Sequence, residues 1–129
     1  MSRLPLQASS PEIAQALRSL IAEGGRGNFA IVSAGGAYLQ FAAARGDTSI
    51  LCEAVSNEYL PERQHLGLDQ INDLKWRGFD VSEGANFSRR FELAGLQETA
   101  KLAAMAVEIL EQVYKCGGSA AVEIELVLE

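Results

Sequence analysis

The sequence predicts a two-layer α+β fold, an antiparallel sheet with its helices on one face and elements in the order α-β-β-β-α-α-β. Three observations lead there. Short apolar, β-branched runs between positions 28 and 55 are separated by glycine-bearing turns. A long amphipathic stretch begins near position 93, and the chain closes on a segment that alternates apolar residues with glutamate.

Ser10-Pro11-Glu12 opens the first helix, since serine caps, proline suits the first turn and glutamate complements the positive end of the helix dipole. Ile13, Leu17, Leu20 and Ile21 then recur at helical spacing until Gly24-Gly25. Asn28 to Ser33 reads as a strand, Gly35-Gly36 as a tight reversal and Ala37 to Ala44 as the partner strand of a hairpin. Arg45-Gly46-Asp47 turns the chain into a third strand, Thr48 to Val55, which completes an antiparallel meander. Ser56-Asn57 and Pro61 stop that strand. Leu66, Leu68, Ile71 and Leu74 indicate a short helix that ends before Gly78. From Trp76 to Glu92 no periodicity is sustained, and the segment reads as a loop. Between Leu93 and Cys116 the stripe Leu96, Ala100, Ala103, Val107, Leu110 and Tyr114 marks the long helix, ended by Gly117-Gly118. Val122, Ile124, Leu126 and Leu128 alternate with Glu123 and Glu125 as the closing strand.

With 129 residues the chain is expected to form one domain, 1–129, with residues 1–9 as a flexible or loosely packed lead-in. Lys and Arg number 11 and Asp and Glu 17, a net charge of −6 spread along the chain. Such a surface repels phosphate backbones and anionic lipid, which argues against nucleic acid and membrane partners and for a basic protein segment. Cys52 and Cys116 have no CxxC companion and the single His65 stands at no metal-ligand spacing from them, so no metal and no cofactor are expected. The opening residues lack the charged start and apolar run of an export signal. No run reaches the ~18 apolar residues of a membrane helix, so the expected location is the cytoplasm.

Chemistry could reside in CEAVSNEYLP, residues 52–61, where Glu53, Ser56 and Asn57 lie together. A serine nucleophile needs a base. His65 stands across Pro61, and no G-x-S-x-G elbow surrounds the serine. The simpler reading is a strand end at which Ser56 and Asn57 bond local backbone. The glycines of GGRG and AGGAY precede strands rather than a helix N-terminus, so they read as turns and not as phosphate cradles. Trp76, Phe79 and Phe87 are expected to plug the edge of the core, with Trp76 packed under its loop. Arg89 and Arg90 either clamp an acidic group of a partner or pair with Glu83 and Glu92. No catalytic, cofactor-binding or metal residue is assigned. Glu53, Asn57, Trp76, Asn86 and Arg89 stand as candidates for partner binding or for fastening the loops.

The succession CEAVSNEYLP, LKWRGF, NFSRRF and ILEQVYKC before a last strand resembles the TY-Chap domains, a bacterial family related to type III secretion chaperones and YbjN-like proteins. Glu53, Ser56, Asn57 and Tyr59 match the family's acidic residue, small residues and Ser/Gly-Asn at the end of the third strand. Leu74 and Trp76 match its Leu-Gly-Trp, Asn86 and Phe87 its Asn-aromatic pair, and Val113 and Tyr114 its aromatic helix end. Lys75 stands where the family has glycine, and Gly78-Phe79 where a proline is common. The match covers the chain from about Tyr38 onward. The resemblance implies a secretion-chaperone-like α+β fold that binds a peptide or partner protein as a homodimer, with no catalytic residue to carry over.

Three functions compete. One is a non-enzymatic chaperone-like protein holding a peptide segment of a partner such as a secretion client, by strand addition at a sheet edge or a helix laid in a groove. Another is a small ligand-binding domain or enzyme with a pocket around Glu53, Asn57 and Trp76, which requires those side chains, Asn86 and Arg89 to converge. The third is a structural dimer module of a larger assembly, which requires a large apolar self-interface. The acidic surface and the open side of the sheet favour the first.

Overall fold

The structure, a computed structural model, describes residues 4–23, 25–82 and 85–128. Its elements are β1 (Leu4–Pro5), α1 (Ser10–Glu23), β2 (Phe29–Ala34), β3 (Ala37–Ala42), β4 (Ser49–Ala54), α2 (Leu68–Trp76), β5 (Phe87–Glu92), α3 (Glu98–Gln112) and β6 (Ala121–Val127). The strands make one six-stranded sheet in the order β1-β6-β2-β3-β4-β5, and every neighbouring pair is antiparallel. This is the α+β class that the sequence predicts.

Strand alternation decides what each face carries. Ala30, Val32, Ala34, Leu39, Phe41, Ile50, Cys52 and Ala54 turn to one side and are buried. Ile13, Leu17 and Leu20 of α1 meet them together with Leu102, Ala106, Ile109 and Leu110 of α3. Each large apolar side chain buried in this seam stabilises the fold by about 1.5–3 kcal/mol. The other side of the sheet carries Phe29, Ile31, Tyr38, Gln40, Leu51 and Glu53, all half-buried. Gly35 and Gly36, at φ 57° and 90°, close the β2–β3 hairpin in a conformation that residues with a Cβ rarely adopt.

The structure corrects four expectations. The segment read as a loop contains β5, which pairs with β4 from Ser49↔Glu92 to Ala54↔Phe87. Its inward positions are Phe87, Arg89 and Phe91, and the arginine among them breaks the apolar alternation. The start of the described chain is packed rather than loose: Leu4 and Pro5 pair with Val122 and Ala121, and Leu6 and Ser9 are fully buried. The first three residues lie outside the described range. Ser9 rather than Ser10 precedes α1, its carbonyl accepting from Ile13 at 3.0 Å and its hydroxyl donating back to the Leu6 carbonyl at 2.8 Å. Finally, α3 is shorter than Leu93–Cys116 and turned about its axis. Its buried face is Thr99, Leu102, Ala103, Ala106, Ile109 and Leu110, while Leu96 precedes the helix and is exposed. Lys115, at φ 60°, reverses the chain after it.

Cys52 is fully enclosed in the core, and burial is the largest of the influences that push its thiol far above the usual range. We therefore expect Cys52 to resist alkylation in the native protein even at pH 9 and to react at once in denaturant. Peptide mapping after iodoacetamide treatment checks this, and native labelling of Cys52 at the rate of a free thiol would contradict the packing.

Candidate functional site

The connection from β4 to α2 contains Ser56 and Asn57, and its shape is set by side chains that replace backbone partners. Asn57 Oδ1 accepts the Leu66 N–H at 2.7 Å, and its Nδ2 donates to the Leu66 carbonyl at 3.0 Å. One amide side chain thus satisfies both polar groups of a residue on the far side of the loop. Asn86 Oδ1 accepts the Ser56 N–H at 3.1 Å, and its Nδ2 donates to the Tyr38 hydroxyl at 3.0 Å. The Ser56 hydroxyl accepts from the Glu58 N–H at 3.3 Å. Tyr114 donates to the Val55 carbonyl at 2.5 Å. Burial first, then nearby Cys52 and Tyr38, push that phenol far up, so it remains a donor at any physiological pH.

α2 is carried by this loop. Gln70 accepts the Gly67 N–H at 2.9 Å and donates to the Val113 carbonyl, which ties the start of α2 to the end of α3. Arg77 reaches Asp73 and Glu108, both at 2.8 Å, at the other end. Only Leu74 of α2 is fully buried. At 100° per residue, Leu68, Asn72 and Trp76 share the opposite side of the helix. Leu68 is 78% exposed and Trp76 89%. The expectation that Trp76 packs beneath its loop is therefore wrong: Phe79, 3% exposed, fills the core edge and meets Phe91 edge-on with ring centroids 6.2 Å apart.

The remaining candidates lie elsewhere. Glu53 sits on the open side of β4, across from Gln40 and Ser88. Arg89 turns to the helix side, donates to the Arg77 carbonyl and lies 4.2 Å over the Phe91 ring. Gly78, at φ 90°, takes a conformation that residues with a Cβ rarely adopt, and an added Cβ would sit 3.1 Å from that guanidinium, close enough to make it shift. Arg90 donates to the Ser49 hydroxyl at 3.2 Å, and Glu83 lies outside the described residues. His65 faces solvent with Nε2 3.1 Å from the Leu60 carbonyl. So Asn57 and Asn86 each fasten the 55–67 connection by separate hydrogen bonds, whereas Glu53, Trp76 and Arg89 stand apart from it. The five do not surround a common pocket. Among the described residues no three His, Cys, Asp or Glu side chains gather closely enough to hold a metal ion.

What the structure does offer is a cleft of about 770 Å³ between the Asn57 loop and α2, with Ile71, Val81 and Phe87 at its base and Leu68, Glu58 and His65 on its rim. Comparison with known families decides the kinship of this arrangement: a family model described as "T3SS (YopN, CesT) and YbjN peptide-binding chaperone 3" matches residues 11–125. The chain belongs to the TY-Chap3 family. No curated protein and no solved structure matches it. TY-Chap3 is a chaperone-type family rather than an enzyme family, and the fold agrees, an open antiparallel sheet plus three helices. No described helix is long and apolar enough to cross a membrane. Sequence reasoning missed the bare strip of α2, although the signal was present, because a helix that buries Leu74 must turn Trp76 about 200° away from it.

Replacing Asn57 by alanine leaves the Leu66 N–H and carbonyl without their partners. The expected loss is about 1–3 kcal/mol of stability, read as a lower urea midpoint at unchanged slope. An unaltered midpoint would show that the amide does not hold this loop.

Proposed function

We propose that this TY-Chap3 chain binds an apolar segment of a partner protein against the outer side of α2, with Trp76 as anchor and the neighbouring cleft as the receiving surface. The observation that carries the reading is the exposure of Trp76. A bare indole on a structured helix adds nothing to the core, and aromatic residues of this kind concentrate binding energy at interfaces. Leu68 and Trp76 lie eight residues apart, roughly 12 Å along the helix axis, a distance that about four residues of extended chain would cover. Glu58 lines the cleft and Asp69 follows Leu68 on α2, while hydrogen bonds from Ser82, another residue of the cleft, hold the Asp80 carboxyl below the usual carboxylate range. An apolar segment with basic flanks suits that charge.

In this reading the protein is non-enzymatic and cytoplasmic, and it self-associates as a homodimer, as its family resemblance implies. A secretion client is one source of such a segment. Glu53 and Arg89 have no direct part in the contact, and Asn57 and Asn86 act by holding the loop beside the cleft.

Trp76→Ala is expected to weaken binding of apolar, lysine-flanked peptides selected on an array by about 30-fold, as for an interface hot spot, with Tm unchanged. Undiminished peptide binding by the variant would refute the anchor role, and so would a fall in Tm of several degrees.

A further inference from the structure

A second surface lies at the far margin of the sheet. β1 pairs only with Ala121 and Val122, whereas β6 continues to Val127. Leu6 donates to the Ala120 carbonyl at 2.8 Å. Antiparallel pairing alternates, so on this edge the even-numbered residues of β6 direct their N–H and C=O groups away from β2. Pro5, which has no N–H to offer, occupies the intervening position and fits that parity. Past β1 the outward groups belong to Ile124 and Leu126, and among the described residues no strand lies beside them. The side chains of the same two residues, with Leu4 and with Ala16 of α1, line a groove of about 280 Å³ whose rim holds Glu12 and Gln15. Glu125 projects from the opposite side of the strand and is exposed.

The other margin differs. Leu93 donates to Thr48 at 2.8 Å, which makes Ser88, Arg90 and Glu92 the outward residues of β5. Ser88 already exchanges both bonds with Asp80, at 2.7 and 3.1 Å, and Arg90 would repel a basic segment.

We propose that β6 accepts an extended segment of another protein as an added strand along its outer edge, with side chains that alternate between apolar and basic. Residues opposite Ile124 and Leu126 point into the groove against α1, where only apolar groups suit Leu4 and Ala16. The residue between them faces Glu125 on the opposite side of the strand, so a lysine or arginine is complementary there. A second copy fits poorly, because two β6 edges would set their glutamates against each other. This surface is separate from α2, and the inference does not depend on the Trp76 reading.

The test is a fluorescence-anisotropy titration with a labelled seven-residue peptide of alternating valine and lysine. It is run on the full chain and on a chain beginning at Leu4, which separates peptide binding at the edge from any contribution of residues 1–3. Backbone amide exchange is followed in parallel. The expected result is saturable binding to both proteins and about tenfold slower exchange at Ile124 and Leu126. Glu125→Lys, an exposed substitution that leaves the core intact, weakens binding by about fivefold, and Trp76→Ala leaves it unchanged. The proposal is overturned if the same residues in block order, or valine alternating with glutamate, bind equally well. It is also overturned if the two amides are unaffected, if the shortened chain loses binding, if Trp76→Ala abolishes it, or if the edge proves covered by a second copy.

Discussion

The closure of one apolar seam to which α2 adds only Leu74 is the constraint from which the other features follow. Leu17 and Leu20 of α1, with Ile109 and Leu110 of α3, meet Val32, Leu39, Phe41 and Ile50 of the sheet, all with no exposure. A side chain enclosed on every side cannot be exchanged for a smaller one without a cavity, so these residues belong to the fold and are unavailable for anything else. α2 contributes a single fully buried residue to this arrangement. Leu74, with Ile71 beside it, and polar links at its two ends hold the helix in place, which leaves its outer side free to carry large apolar groups that the core has no use for.

Polar positioning matters for how such a surface would work. Asn57 and Asn86 place side-chain amides where the irregular 55–67 connection lacks a ladder of its own, and Gln70 repeats the device between α2 and α3. Each bond adds only about 1 kcal/mol net, yet each would cost more to leave unmade. A loop and helix fixed in this way need little further ordering when a partner arrives, and that lowers the entropic cost of association. The partly exposed ion pairs of Arg77 add little stability individually and link the end of α2 to Glu108 of α3.

Much of the fold was legible because its signals are local. The glycine pair of the hairpin, the alternation in β6 and the periodicity of α1 each report a backbone geometry that depends on few other residues. What escaped depends on tertiary context. β5 places Arg89 on the covered side of the sheet, and only the Arg77 carbonyl and the Phe91 ring make that tolerable. β1 is a pair of residues, one of them proline, and exists because β6 lies alongside. The stripe on α3 was misplaced because alanines on several sides satisfy more than one helical phase. At the candidate site, the roles of Asn57 and Asn86 in fastening the loop could be anticipated from residue type. The exposure of Trp76 required deciding which of two aromatics, Trp76 or Phe79, occupies the core.

Kinship with the peptide-binding chaperones of the TY-Chap3 family and the bare indole of α2 point the same way, and the composition makes the point measurable: Trp76 is the only tryptophan in the chain. Iodide quenching of its fluorescence in the unliganded protein tests the account most directly. A quenching slope approaching that of a free indole, the same at low and high protein concentration, is the result expected of a side chain held in water for a partner of another kind. A shielded, unquenchable tryptophan would mean that the core or a second copy already covers it, and the account would fail.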